Sequence, residues 1–342
     1  MKTVAEVRHV SEGEGWVAYS LPGEIDHTLM IGEISKEPID EGSFILQGWD
    51  ARYHPRIYIR PNQLVTNGRC HAEVKELCPI QPTSRKTYDK ILSRTIDKIR
   101  AGHLEKAVIS KVKVVDRRDQ NLFDLYQELK NRYVKAFTFI YHMPGQGTWC
   151  GATPEILLHE ESGALKTMAL AGTLPFNGDL NNVPWTDKER HEQGVIETHV
   201  ERVLQGLDLD YNKEGPTTVR AGEMVHLLST YTTDQVSQPE ALQSMLHPGP
   251  AICGSPQKEA FRWINEEEEH TRDHYCGYLG PWGVLGQKAI FIHLRSMRIY
   301  QDKYALYLGG GITTDSDISS EWDETELKAQ TMLAVIDNLV YG

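Results

Sequence analysis

The chain lacks any apolar run approaching the roughly 18 residues a membrane-spanning helix needs. It also lacks a block of lysine and arginine, and it has no paired cysteines. Each absence removes a class of protein. The start, Met1 to Glu6, holds no apolar core of a secretion signal, so a soluble, cytoplasmic protein is expected. A formal net charge of −12 over 342 residues, without a positive footprint, argues against nucleic acid and against anionic membranes as partners. An anionic substrate would therefore be drawn in by local cations. The five cysteines (Cys70, Cys78, Cys150, Cys253, Cys276) are odd in number and scattered, with no C-x-x-C pair, which indicates neither a disulfide framework nor a zinc site.

What is present suffices for a large globular core, since 40% of the residues are apolar. Residues 1–82 read as short strands broken by turn signals (Gly13-Glu14-Gly15, Pro22-Gly23, Pro61-Asn62, Asn67-Gly68) and are expected to extend the same domain as the main region, 83–342. Tyr88, Ile91, Leu92, Ile96 and Ile99 follow helical spacing until Gly102. Strands are expected at Lys106–Val115, Trp149–His159, Ala169–Leu174, Ala289–Arg295 and Tyr304–Leu308, the last two joined as a hairpin through Gln301-Asp302-Lys303. Long helices are expected at 186–207 and 320–340. Strands close in sequence with few βαβ alternations predict an α+β fold, antiparallel sheets with outer helices.

Two acidic clusters stand out. Glu189 and Glu192, and Glu321 and Glu324, are each three residues apart, so each pair projects from one face of its helix, and together they could close on one hard cation such as Mg²⁺. Thr186-Asp187-Lys188-Glu189 also fits a capping box, which gives Glu189 an alternative duty, and Ser320 could cap the second helix. Lys328, one turn beyond Glu324, is either its ion-pair partner or a contact to a substrate carboxylate. Lys106 opens an apolar strand, where desolvation favours a neutral amine able to act as a base; a lysine snorkelling to water is the competing reading. Glu155 follows Pro154 in an apolar neighbourhood, where burial would keep it protonated as an acid. Arg295 could fork onto a carboxylate, and Gly309-Gly310-Gly311 offers backbone amides at close range.

These pieces resemble, in order and spacing, the chorismate-utilising enzymes: isochorismate synthase, salicylate synthase, anthranilate synthase component I and aminodeoxychorismate synthase component I. The matching stretches are Glu105 to Ser110, Gly151 to Glu155, Leu170 to Thr173, Lys188 to Glu192, Leu246 to Ala251, Gly309 to Ile312 and Glu321 to Lys328. The resemblance implies large antiparallel sheets flanked by outer helices around one active-site cleft. It also implies that Glu192 and Glu324 bind Mg²⁺ directly, with Glu189 and Glu321 acting through waters. It further implies that Tyr275, Arg295 and the amide of Gly311 receive the enolpyruvyl carboxylate, with Thr173, His226 and Lys328 nearby. Lys106 would be the general base of the water-adding members, and Glu155 the general acid. The activity implied is conversion of chorismate to isochorismate, a precursor of menaquinone or catechol siderophores. No amidotransferase partner is expected, and a monomer is the default. Salicylate synthase is the alternative, an aminating enzyme a more distant one. Gln193 and Gly249 depart from the family pattern, which has histidine and threonine there.

Overall fold

The computed structural model describes residues 7–39, 42–118, 120–222, 224–234, 236 and 238–341, the last three of these in backbone only; Met1 to Glu6 lie outside the described residues. The elements run β1 (Val7–Arg8), β2 (Gly15–Ser20), β3 (Thr28–Ser35), β4 (Ser43–Gln47), β5 (Ile57–Thr66), β6 (Arg69–Cys70), α1 (Arg85–Arg100), β7 (Lys106–Asp116), α2 (Leu122–Arg132), β8 (Phe137–Met143), β9 (Gly147–Thr153), β10 (Ile156–Glu161) and β11 (Ala164–Pro175). They continue with α3 (Asp187–Gly206), β12 (Asn212–Ala221), β13 (Met224–Asp234), α4 (Pro239–Leu246), β14 (Gly254–Ser255), α5 (Gln257–Glu267), β15 (Tyr278–Val284), β16 (Gln287–Ile292), β17 (Ser296–Ile299), β18 (Lys303–Ile312) and α6 (Ile318–Tyr341). Sixteen strands form one antiparallel sheet, ordered β12-β13-β11-β10-β16-β15-β4-β5-β3-β2-β8-β9-β17-β18-β7-β14. None of the described helices is long and apolar enough to cross a membrane.

Period-2 alternation divides this sheet between two cores. Val17, Tyr19, Phe139, Tyr141, Trp149, Ala305 and Tyr307 join the larger core with α1, α3, α4 and α5. Their strand neighbours Trp16, Ala18, Ile140, Cys150, Tyr304 and Leu306 pack with Phe123 and Leu129 of α2 and Met332 and Val335 of α6. Continued along β18, the alternation sets Gly309 and Gly311 on the first face and Gly310 on the second.

The helices that carry the acidic pairs start on definite signals. A capping box at Thr186 and Glu189 opens α3, whose buried side is Gln193, Ile196, Val200, Val203 and Leu204. At the start of α6, Asp317 Oδ1 accepts from the Ser320 amide at 2.8 Å and its hydroxyl at 2.8 Å. Asp317 therefore does the capping expected of Ser320, which lies inside the helix.

Three strand expectations need correction. The 149–159 segment is two strands, because Pro154 offers no amide for the ladder and the chain bends at Pro154-Glu155. The strand expected to end at Arg295 stops at Ile292, and Arg295 has φ 47, a left-handed backbone that takes it out of sheet geometry. The turn at Gln301-Asp302-Lys303 accordingly joins β17 to β18, not β16 to β18.

Candidate active site

A cleft, about 760 Å³ with the open solvent at its mouth included, is lined by nine of the site residues expected from the sequence: Glu155, Thr173, Glu192, His226, Tyr275, Arg295, Gly311, Glu324 and Lys328. Lys106, Glu189 and Glu321 stand just behind its wall and are at most 8% exposed. The glycine run explains how side chains from opposite faces of a strand reach one place. A Cβ on Gly311 would lie 2.3 Å from Glu192 Oε1 and 2.8 Å from Lys106 Cε; on Gly309, 2.9 Å from the Tyr275 hydroxyl; on Gly310, 3.1 Å from Glu321 Oε2. Any side chain in this run would displace a group of the site.

Each acidic group near β18 meets a lysine. Lys106 Nζ lies 2.8 Å from Glu192 Oε1, Lys188 Nζ 2.8 Å from Glu321 Oε1, and Lys328 Nζ 2.6 Å from Glu324 Oε1. The Lys106 contact is at ion-pair distance but poorly directed for a hydrogen bond. Lys328 also donates to the Gly309 carbonyl at 2.8 Å. Glu189 closes the capping box, accepting the Thr186 amide at 3.0 Å on Oε2. Lys188 was given no role by sequence reasoning; its place one residue before Glu189, facing a second acidic helix, was the available signal.

Oxygen donors only, one of them unspent, suit a hard cation. Glu321 Oε2 is buried with no hydrogen-bond partner, and burial first, then the Glu324 charge, hold the Glu321 carboxyl above its usual range. Among the described residues no three acidic, imidazole or thiol groups converge as a metal cage. Mg²⁺ does not require one, since one or two carboxylates plus water and substrate oxygens commonly hold it.

The rest of the cleft sorts into an acid and anion-binding groups. Glu155 lies in the break between β9 and β10 and lines the cleft. Protein crowds it closely enough that burial raises its pKa to about 7, against the opposing charges of Lys106, Arg295 and Lys328. Arg295 reaches the cleft because of its left-handed turn. Burial lowers its pKa, its nearest polar contacts are Thr331 Oγ1 at 3.3 Å and Met224 Sδ at 3.8 Å, and no described carboxylate forms an ion pair with it. A desolvated guanidinium without a carboxylate is a receptor for an anion. Tyr275 stacks on Tyr307 with ring centres 5.6 Å apart. His226 Nδ1 donates to the Gly172 carbonyl at 2.8 Å, burial and Arg295 depress its pKa to about 3, and Nε2 stays a buried acceptor without a partner. Thr173 Oγ1 lies 3.4 Å from His226 Nδ1.

The two departures point away from the chemistry. Gln193 Nε2 donates to the Ala169 carbonyl at 3.1 Å and to Glu197 at 3.1 Å, tying α3 to β11. A Cβ on Gly249 would meet the Leu246 carbonyl at 3.0 Å and His199 at 3.6 Å, beside the cleft wall formed by Ala251 and Ile252. Ala251 closes the Leu246 to Ala251 stretch matched in the sequence, whereas Ile252 was not singled out there.

The chain belongs to the chorismate binding enzyme family, which matches residues 57–337. The vibriobactin-specific isochorismate synthase of Vibrio cholerae is 28% identical over 91% of this chain and 80% of its own length. Anthranilate synthase component 1 of Aeropyrum pernix is also 28% identical, over 73% of this chain and 60% of its own length, so percentage identity does not choose between those activities. The crystal structure of the DhbC protein of Bacillus anthracis aligns with a TM-score of 0.79 at 23% identity, covering 96% of this chain and 97% of that one, a likeness of fold.

Proposed function

We propose that this cleft is the active site of an isochorismate synthase that acts on chorismate with Mg²⁺. The supporting observation is an acid and a base at one cleft: a carboxyl whose pKa is raised to about 7 at Glu155, within electrostatic reach of the buried amine of Lys106. Lys106, reacting in its neutral form after giving up the proton it holds in the ion pair with Glu192, takes a proton from water, which adds at C2 of chorismate as the double bonds shift. Glu155 gives its proton to the departing C4 hydroxyl, which leaves as water. Arg295, Tyr275 and the Gly311 amide receive the enolpyruvyl carboxylate, with Thr173 and Lys328 beside it, and neutral His226 presents Nε2 as an acceptor for a substrate hydroxyl. Glu192 and Glu324 would hold Mg²⁺ directly, and Glu189 and Glu321 through waters. Bound there, the ion supplies neutralisation of the ring carboxylate and fixes the ring.

The test is product analysis. Purified protein with chorismate and Mg²⁺ is expected to yield isochorismate on chromatography, with no need for ammonia or glutamine, and to stop when the metal is chelated. Salicylate appearing in step with pyruvate would replace this reading with salicylate synthase. An aminated product would move it to the ammonia-using branch.

A further inference from the structure

The outer edge of β7 is finished by side chains rather than by a strand. β14 pairs with only Lys106 and Ala107, and the Val108 amide still reaches the Cys253 carbonyl at 2.7 Å. Beyond that the neighbouring strand is missing. Arg272 Nη2 donates to the Val108 carbonyl at 2.6 Å, while Glu268 Oε1 accepts the Ser110 amide at 2.7 Å and the Ser110 hydroxyl at 2.9 Å. Thr83 then takes over, its Oγ1 accepting the Val112 amide at 3.0 Å. The two side chains that fill the gap are ion-paired at 2.6 Å and only 1% and 2% exposed. Arg272 also donates through Nη1 to the Ile252 carbonyl at 3.0 Å and lies 4.4 Å over the Trp49 ring.

We propose that Glu268 and Arg272 are positioning residues for the reaction, serving as a short substitute strand that fixes the height of β7 and so the placement of Lys106. This rests on the assignment of Lys106 as the base. The bonds fall where alignment matters. Val108 lies two residues from Lys106, pairs with Gly311 across β18, and lines the cleft as Ile252 does. Neither Glu268 nor Arg272 lines the cleft. A pair kept only for stability would hold the fold together without preference for these carbonyls. Buried ion pairs are weak stabilisers, so a positional role accounts better for the four backbone and hydroxyl contacts.

Arg272→Lys keeps the charge opposite Glu268, but one ammonium cannot reproduce the planar fork that joins Val108, Ile252 and both carboxylate oxygens. It is expected to lower kcat by about 10²-fold, the cost of misplacing a reacting group by roughly 1 Å, while the KM for chorismate, set by Arg295 and Tyr275, stays within about twofold on the same argument. Glu268→Gln, nearly isosteric and still able to accept from Ser110, is the second variant, expected to show the same split with a smaller loss. Full kcat in both variants, or kcat, KM and Tm deteriorating together as for a merely loosened fold, would overturn the inference. Lys106→Ala, measured alongside, separates the layers. It is expected to lose turnover while still binding chorismate. A near-normal rate there removes the base assignment, and the positioning role with it. An inactive Lys106→Ala beside a fully active Arg272→Lys refutes the positioning role alone.

Discussion

A carboxyl can donate a proton near neutral pH only where its charged form is disfavoured, and at Glu155 burial outweighs three nearby cations to set the pKa at about 7. The acid form prevails below that value, so the kcat/KM profile of the free enzyme is expected to fall as pH rises through about 7. Glu155→Gln should lose about 10²- to 10⁴-fold in rate and with it that descending limb; a limb unchanged in the variant would dismiss Glu155 as the acid. Stability carries the same sign. The folded chain holds this proton up to about 7 and the unfolded chain only to 4.5, so the contribution is full below 4.5 and is lost as pH rises through about 7. Relative to Glu155→Gln, the parent protein's Tm should therefore decline across that window. Glu155 was legible because Pro154 and three apolar neighbours bracket it. The way Arg295 reaches the cleft was not, since a left-handed arginine follows from how β16 and β17 meet their partners and leaves no local signature.

Between elements, the site depends on α3 and α6 converging on a strand that carries no side chains where they meet it. The parts are local and were readable: a capping box, carboxylates three apart, and a glycine triplet. Their convergence is not local. That Lys106 meets Glu192 and Lys188 meets Glu321 comes from the docking of both helices on the sheet, whereas Lys328 meets Glu324 one turn away on the same helix, a pairing the spacing offered. The proposed metal roles can be ranked by substitution. Glu192→Gln and Glu324→Gln are each expected to raise the Mg²⁺ concentration for half-maximal rate by about a hundredfold, ~2.8 kcal/mol. Glu189→Gln preserves the cap, because a glutamine serves the box as well as a glutamate, so its effect reports the water-mediated contact alone. About tenfold is expected, the scale of an outer-shell change. An unchanged requirement in Glu192→Gln and Glu324→Gln would refute both as ligands, and one in Glu189→Gln would leave that residue to the helix cap.

At the scale of the whole molecule, residues 1–82, expected from the sequence to extend the domain of 83–342, supply β2 to β5 of the large sheet. Antiparallel pairing and outer helices followed from element order, but which distant strands pair did not, because register is set by matching faces across long separations. β4 pairs with β15, and β2 pairs with β8, so β2 to β5 sit in the interior of the sheet between elements from much later in the chain. The contacts follow suit. Tyr19 packs against both Phe44 and Phe137, at ring-centre distances of 5.4 and 6.0 Å. A fragment of residues 83–342 would expose the edges of β8 and β15 and divide the larger core, leaving unpaired ladders open to self-association. Expressed alone, it should show no cooperative thermal transition and should aggregate, although it contains every residue assigned to the chemistry. A sharp melt in calorimetry with retained chorismate binding would show instead that the first 82 residues merely extend a sheet able to stand without them.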